Sequence, residues 1–211
     1  FESEIYTQLV QKKEIFATVT EHRYYSVGSF ERIKLTREFF KPKRVVFLDR
    51  DGTINKRPKQ ACYVEKPEDF IWLPGALEAI RLLKNNGFLV IVITNQPGIA
   101  RGNLTEEMLY CIHAKMHMEL LKAETEIDDI LYCPHNWNEG CFCRKPSPGM
   151  LYEAQKKYEL NLSECYLIGD DERDIEAGTI AGCKCRMVDE KHTILDVVKE
   201  IVALEKKGED T

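Results

Sequence analysis

The sequence predicts a three-layer α/β fold, a parallel sheet with helices packed on both faces. Three observations predict it. From Arg44 onward, short runs that are apolar at nearly every position ("RVVFLD", "FLVIVIT", "YLIGD") alternate with stretches of helical period. A strand that is apolar on both sides of its pleat is covered on both sides, and strands alternating with helices join in parallel. Third, acidic and hydroxyl residues stand at the ends of these runs and do not interrupt them, which puts polar chemistry at the strand tips.

The elements follow in order. "RVVFLD" (44–49) reads as a buried strand and "ALEAIRLLKNNG" (76–87) as a helix ended by Gly87. Residues 88–94 form a second buried strand. Residues 105–123 form a longer helix with Thr105 as its N-cap. A strand at 127–133, a helix at 147–160 and a strand at 164–170 come next. A helix over 173–181, a strand over 183–188 and a closing helix near 193–206 complete the series. Residues 1–41 break the rhythm: "HRYYSVGSFERIKLTREFFKPK" reads as a strand, a turn at Gly28 and a helix stopped near Pro42. The expected organisation is an N-terminal appendage over 1–41 and one α/β domain over 42–211.

Composition narrows the function classes. With 211 residues, 44% hydrophobic and 31% charged, the chain can bury a full core without staples. A net charge of −5 gives no overall basic field for nucleic acid or an anionic membrane. No run approaches the roughly twenty apolar residues of a bilayer span. The start lacks the layout of a secretory signal, and three of the eight cysteines share one short loop with a histidine. Reduced thiols plus metal is the reading, which implies a cytoplasmic protein.

Four stretches carry chemistry. In "FLDRDGTIN" (47–55), Asp49 and Asp51 stand at i and i+2 and face one site at a strand tip, with Gly52 allowing a sharp turn. Carboxylates this close need a cation or a shared proton. In "VITNQPGIARG", Thr94 offers a hydroxyl at the next tip beside the amides of the Gly98 turn. Lys145 brings a point charge suited to phosphate. In "YLIGDDERDIEAG", Asp170, Asp171 and Asp174 stand at a third tip, as helix-start acids or as a carboxylate ligand for Mg²⁺.

A further stretch, "CPHNWNEGCFCRKPSPGM" (133–150), places Cys133, His135, Cys141 and Cys143 immediately before Arg144 and Lys145. Three thiolates and an imidazole suit closed, tetrahedral structural zinc, with no position left for a catalytic water. The ion would pin the loop that carries the two cations. By contrast, Cys183 and Cys185 lie on a strand with no histidine nearby, and His113 and His117 have helical spacing but no third ligand.

The succession Asp-x-Asp-Gly-Thr, Thr-Asn, Lys, Gly-Asp-x-x-x-Asp resembles the haloacid dehalogenase superfamily of phosphohydrolases over residues 42–206. The resemblance implies its Rossmann-like fold, and the spacing from Asp49 to Thr94 and from Thr94 to Lys145 leaves no room for a separate cap domain. It implies Asp49 as nucleophile, Asp51 as general acid and base, and Thr94 and Lys145 stabilising the transferring phosphoryl group. Mg²⁺ would be held by Asp49, the Asp51 carbonyl and Asp170, with Asp171 or Asp174 orienting the water shell or Lys145. "FLDRDGTIN", "TNQPGIARG" and the cysteine loop together resemble the branch of heptose 1,7-bisphosphate 7-phosphatases and histidinol-phosphate phosphatases. That branch implies substrate contacts at Arg144, at Asn95, Gln96 and Pro97 in the pocket, and at Asn55 and Tyr63 bordering its entrance.

The resemblance implies a Mg²⁺-dependent phosphatase that acts through an aspartyl-phosphate and removes the 7-phosphate of a heptose 1,7-bisphosphate. Histidinol phosphate is the alternative, followed by a nucleic-acid 3′-phosphate or a non-catalytic zinc-stabilised module. The stretch "YYSVGSFERIKLTREFF" (24–40) resembles the tail of sugar-1-phosphate nucleotidyltransferases, with Ser26, Ser29 and Phe30 where Asp, Thr and Pro are expected. The Gly-rich nucleotide loop of those enzymes is missing, so no transferase activity is assigned. The resemblance implies a remnant of a fused or associated transferase and favours the heptose substrate.

Overall fold

In a computed structural model of the chain, residues 2–16, 26–59 and 62–209 are described. The chain divides into two compact units, Phe1–Lys41 and Pro42–Thr211. The first holds helix α1, Glu2–Gln11, and helix α2, Phe30–Phe39. Ser29 caps α2 by accepting a hydrogen bond from the Arg32 amide at 3.2 Å, so the helix follows the Gly28 turn. The strand expected ahead of that turn lies, apart from Ser26 and Val27, outside the described residues.

The second unit is an α/β sandwich. Strands β1 (Val45–Leu48), β2 (Leu89–Asn95), β3 (Asp129–Cys133), β4 (Tyr166–Gly169) and β5 (Lys184–Met187) form one sheet in the order β3-β2-β1-β4-β5. Every pairing is parallel; Phe47 registers with Ile91 on one side and with Leu167 on the other. Helices α3 (Ala76–Asn85), α4 (Glu106–Lys122), α5 (Gly149–Tyr158), α6 (Glu172–Ala181) and α7 (Ile194–Glu209) connect and cover the strands.

Pleat alternation explains the two layers. Val46 and Leu48 point into a core shared with Ile80 and Leu83 of α3, Ile112 and Met116 of α4, and Val198 and Ile201 of α7. Val45 and Phe47 point the opposite way, into a core with Met150 and Ala154 of α5 and Ala177 of α6. All four β1 residues are fully buried, as a strand covered on both faces must be.

Helix ends are set by local chemistry. Thr105 accepts from the Met108 amide at 3.1 Å and starts α4. Asp171 and Asp174 form a reciprocal capping box at the start of α6. Between β1 and α3 the described residues form only single bridges, Asp51 with Asn55 and Asn55 with Trp72, and one 3₁₀ turn at Pro67–Asp69. Among the described residues no further folded unit is inserted there. No helix among the described residues is long and apolar enough to cross a membrane.

Topology locates the site. From β1 the chain moves outward to β2 and β3, then returns to the other side of β1 as β4. The order therefore reverses between β1 and β4, and a crevice opens above their carboxyl ends. Asp49 leaves one of these strands and Asp170 the other.

Candidate active site

Asp49 is buried at the end of β1, and Lys145 reaches it from the loop before α5. The Lys145 ammonium donates to Asp49 Oδ1 at 2.5 Å and to the Ile93 carbonyl at 2.8 Å, and it pairs with Asp174 Oδ1 at 2.6 Å. Three donors meet three acceptors, so the buried cation is fully satisfied. Burial works against that charge, but Asp49 and Asp174 outweigh it and hold the ammonium above its ordinary pKa. Burial also dominates at Asp49. Its pKa is pushed up to about 7, against the pull of Lys145 and with help from the charges of Asp174 and Asp51.

Asp51 has the opposite electrostatics. Burial again opposes ionisation, but Arg50 overrides it and lowers the pKa. Arg50 donates to both carboxylate oxygens, at 3.2 and 2.7 Å, while Asn55 Nδ2 donates at 2.9 Å and Gln96 Nε2 at 3.1 Å. Four donors onto one carboxylate hold it as an anion.

Asp170 stands across the crevice, its pKa raised by burial against the pull of Arg57. Gly52 passes directly beside it at a φ of 106°, and a Cβ there would collide with the Asp170 carboxylate. Carboxylate oxygens of Asp49, Asp170 and Asp174 lie within 4.8 Å of one another. The three crowded carboxylates form an all-oxygen donor set, which fits a hard divalent cation of the magnesium type.

The site residues expected from sequence fall into two groups. Asp49, Asp51, Tyr63, Thr94, Asn95, Pro97, Arg144 and Lys145 line one hollow of about 310 Å³. Gln96 and Asn55 do not line it. Gln96 is buried and bonds Thr94 Oγ1 at 2.9 Å besides Asp51, and Asn55 is fully buried behind the same carboxylate. Both therefore hold Asp51 from behind, and neither stands at the mouth. Asp170 lines an adjoining, more apolar cavity of about 530 Å³, with Arg57 on the wall of both.

Sequence reasoning missed four arginines. Arg50 follows the strand alternation away from Asp49, then folds its guanidinium back onto Asp51 without any exposed surface. Arg57, Arg101 and Arg173 come from loops and a helix start, and all three line the hollow. Arg101 donates to Tyr63 Oη at 2.6 Å and Arg173 to Asp171 at 2.8 Å, the latter bond leading the effects that hold Asp171 far below the carboxylate range. A basic residue in an aperiodic loop gives no signal of where it points.

Cys133, His135, Cys141 and Cys143 also come together, their ligand atoms within 4.8 Å of one another. Cys133 Sγ lies 3.6 Å from His135 Nδ1, 3.6 Å from Cys141 Sγ and 3.2 Å from Cys143 Sγ. Tetrahedral zinc with bonds near 2.3 Å separates its ligands by roughly 3.7 Å, so the cluster fits that ion. Cys133 registers with Asn95 across β3 and β2, and the Gln96 amide donates to the Cys133 carbonyl at 2.7 Å. The cluster thus hangs from the end of β3, paired directly with the β2 end that supplies Asn95. Arg144 donates to the His135 carbonyl at 3.3 Å, tying the cation to the same loop. Among the described residues, Cys183, Cys185, His113 and His117 join no such group.

Residues 44–193 match the family model described as polynucleotide kinase 3 phosphatase. The D-glycero-beta-D-manno-heptose-1,7-bisphosphate 7-phosphatase of Bordetella bronchiseptica is 39% identical over 140 residues, 66% of this chain and 77% of that protein. A D-glycero-alpha-D-manno-heptose-1,7-bisphosphate 7-phosphatase of Photorhabdus laumondii is 38% identical over 157 residues, covering 71% and 84% of the two chains. Among solved structures, the B. bronchiseptica D,D-heptose 1,7-bisphosphate phosphatase complexed with magnesium and phosphate superposes with a TM-score of 0.72 at 32% identity, covering 76% of this chain and 99% of that one. With its five-stranded parallel sheet and this strand-tip site, the chain belongs to the polynucleotide kinase 3 phosphatase family, within the haloacid dehalogenase superfamily of phosphatases.

Proposed function

We propose that the chain is a Mg²⁺-dependent phosphomonoesterase that removes the 7-phosphate of D-glycero-D-manno-heptose 1,7-bisphosphate through an aspartyl-phosphate. One observation carries this reading: Asp49 sits at the floor of the hollow, clamped by Lys145 at 2.5 Å, with Asp170 facing it across the crevice. Asp49 attacks phosphorus, the bond between phosphorus and the C7 oxygen breaks, and that oxygen takes its proton from Asp51. Water then attacks the aspartyl-phosphate, gives its proton to Asp51 and releases inorganic phosphate.

The residues divide this work by their electrostatics. Lys145 and Thr94 offset charge on the transferring group. Asp51, held anionic by Arg50, Asn55 and Gln96, is set to accept the water's proton. For Asp51 to protonate the leaving oxygen in the first step, one of those donors must let go. Asp49, the Asp51 carbonyl and Asp170 would hold Mg²⁺, which supplies the positive charge that lets an anionic nucleophile approach an anionic phosphate. Cys133, His135, Cys141 and Cys143 would hold zinc as a structural clamp on the Arg144 and Lys145 loop.

The substrate choice is supported by the activities for which the relatives are named and by the hollow itself. Arg101, Arg144 and Arg173 add three cations to Lys145 around a small cavity, which suits a compact substrate with a second anionic group. The family model's description also brings in nucleic-acid 3′-phosphates. Initial rates of phosphate release from both heptose 1,7-bisphosphate anomers, histidinol phosphate and a 3′-phosphorylated oligonucleotide decide the matter. A higher kcat/KM on either of the last two would end the heptose assignment.

A further inference from the structure

We propose that Arg57 competes with the divalent ion for the cation position of this site, so that metal affinity is set by an arginine that must move before the ion can enter. The proposal rests on the reading that the Asp51 carbonyl and Asp170 hold the metal. Arg57 Nε donates to the Asp51 carbonyl at 3.4 Å, and Nη2 pairs with Asp170 Oδ2 at 2.9 Å. The same fork lies 3.4 Å from Asp171 Oδ2 through both terminal nitrogens. One guanidinium therefore bridges two of the oxygens assigned to the ion. Both oxygens would have to turn to Mg²⁺ for the ion to be held there, and the guanidinium now takes both. The two cations exclude each other by volume and by charge.

Arg57 is built to leave. Its side chain is 48% exposed, whereas that of Arg50, on the neighbouring carboxylate, is fully buried. It projects from the Lys56–Lys59 stretch, outside any helix or strand, so swinging aside costs no core packing. It also lines the substrate hollow, so a displaced guanidinium stays beside the incoming phosphate. Metal entry would then exchange one cation at the acids for two in the site. Arg57 acts on the reaction through the metal, as a positioning residue.

Calorimetric titration of the full chain with Mg²⁺ alone, without substrate, tests this. Arg57→Gln should bind Mg²⁺ about tenfold more tightly than the parent chain, a coupling of ordinary size between two ligands of one site. Arg101→Gln removes a cation of the same hollow that bonds Tyr63 and Asn136, not the acids, and should change the affinity less than about threefold. Equal tightening in both variants would mean a general field effect and would overturn the proposal, as would unchanged or weaker binding in Arg57→Gln. Asp170→Asn should weaken binding at least tenfold with either residue at position 57. If it does not, the metal reading falls and this inference with it. If Asp170 matters and Arg57 does not, only the inference falls.

Discussion

The Asn95 side chain grips the backbone of Lys145 at both ends of its amide: Nδ2 donates to the Lys145 carbonyl at 3.0 Å and Oδ1 accepts from the Lys145 amide at 3.0 Å. A strand-tip residue thereby fixes the height at which the ammonium enters the site. Asn95→Ala removes both bonds and lets Lys145 drift. The expected result is a kcat lower by about tenfold to a hundredfold, because small misplacements of a catalytic group are costly. Two lost hydrogen bonds would cost only about 1–3 kcal/mol of stability. Steady-state kinetics alongside denaturant unfolding separate these effects; a normal kcat would mean that Asn95 does not position the lysine.

Asp49→Asn should reduce turnover to background while the protein stays folded. An amide is no nucleophile toward phosphorus, and the substitution also removes a buried charge whose pKa is pushed up to about 7. Lys145 keeps Asp174 as its anionic partner. Thermal unfolding should therefore occur at an equal or higher temperature than in the parent chain. Retained turnover would move the nucleophile elsewhere.

Elemental analysis of the purified protein should find one zinc per chain, held by the four-ligand cluster. Cys141→Ser should lower zinc occupancy and raise KM several-fold through the loosened Arg144 loop. Mg²⁺ affinity at the carboxylates should be unchanged, since the two donor groups share no residue. Full zinc content in that variant would remove Cys141 from the ligand set.

His113 gives a pH signature. Burial, aided by the charges of Arg50 and His117, pushes its pKa down to about 3, while Asp51 pulls weakly the other way. Its ring packs edge-on against Tyr132, with centroids 6.3 Å apart. Between pH 6.5 and 3 the unfolded chain binds a proton that the folded one refuses, so stability falls as pH drops below the ordinary histidine value. The slope from this group is at most about 1.4 kcal/mol per pH unit, and nothing is contributed above pH 6.5. Urea unfolding at pH 7.5 and 5.5 should show a smaller difference for His113→Gln than for the parent chain.

How much of this was legible in the sequence depended on periodicity. Strands β1, β2 and β4 announce themselves as unbroken apolar runs, and Asp49, Thr94 and Asp170 stand at their ends because polar groups have nowhere else to go in such strands. Helix α1 was not read, although Ile5, Tyr6, Leu9 and Val10 stand at helical spacing, because the segment lies outside the strand–helix alternation that guided the reading. Asn55 was expected at the entrance and Gln96 in the pocket lining, but both side chains turn inward because an anionic Asp51 needs donors once it is buried. Arg50 was invisible for a related reason: alternation predicts where a side chain starts, not where a long flexible one ends. Arg57 sits in a loop with no period at all.

The contact between Gly52 and Asp170 also bears on how the pocket can be re-engineered. With no room for even one carbon at position 52, that site is closed to substitution, and any library aimed at new phosphoester specificity should leave it alone. Diversity belongs instead on the opposite rim, at Tyr63 and Arg101, where side chains meet solvent and one another before they meet the reaction centre.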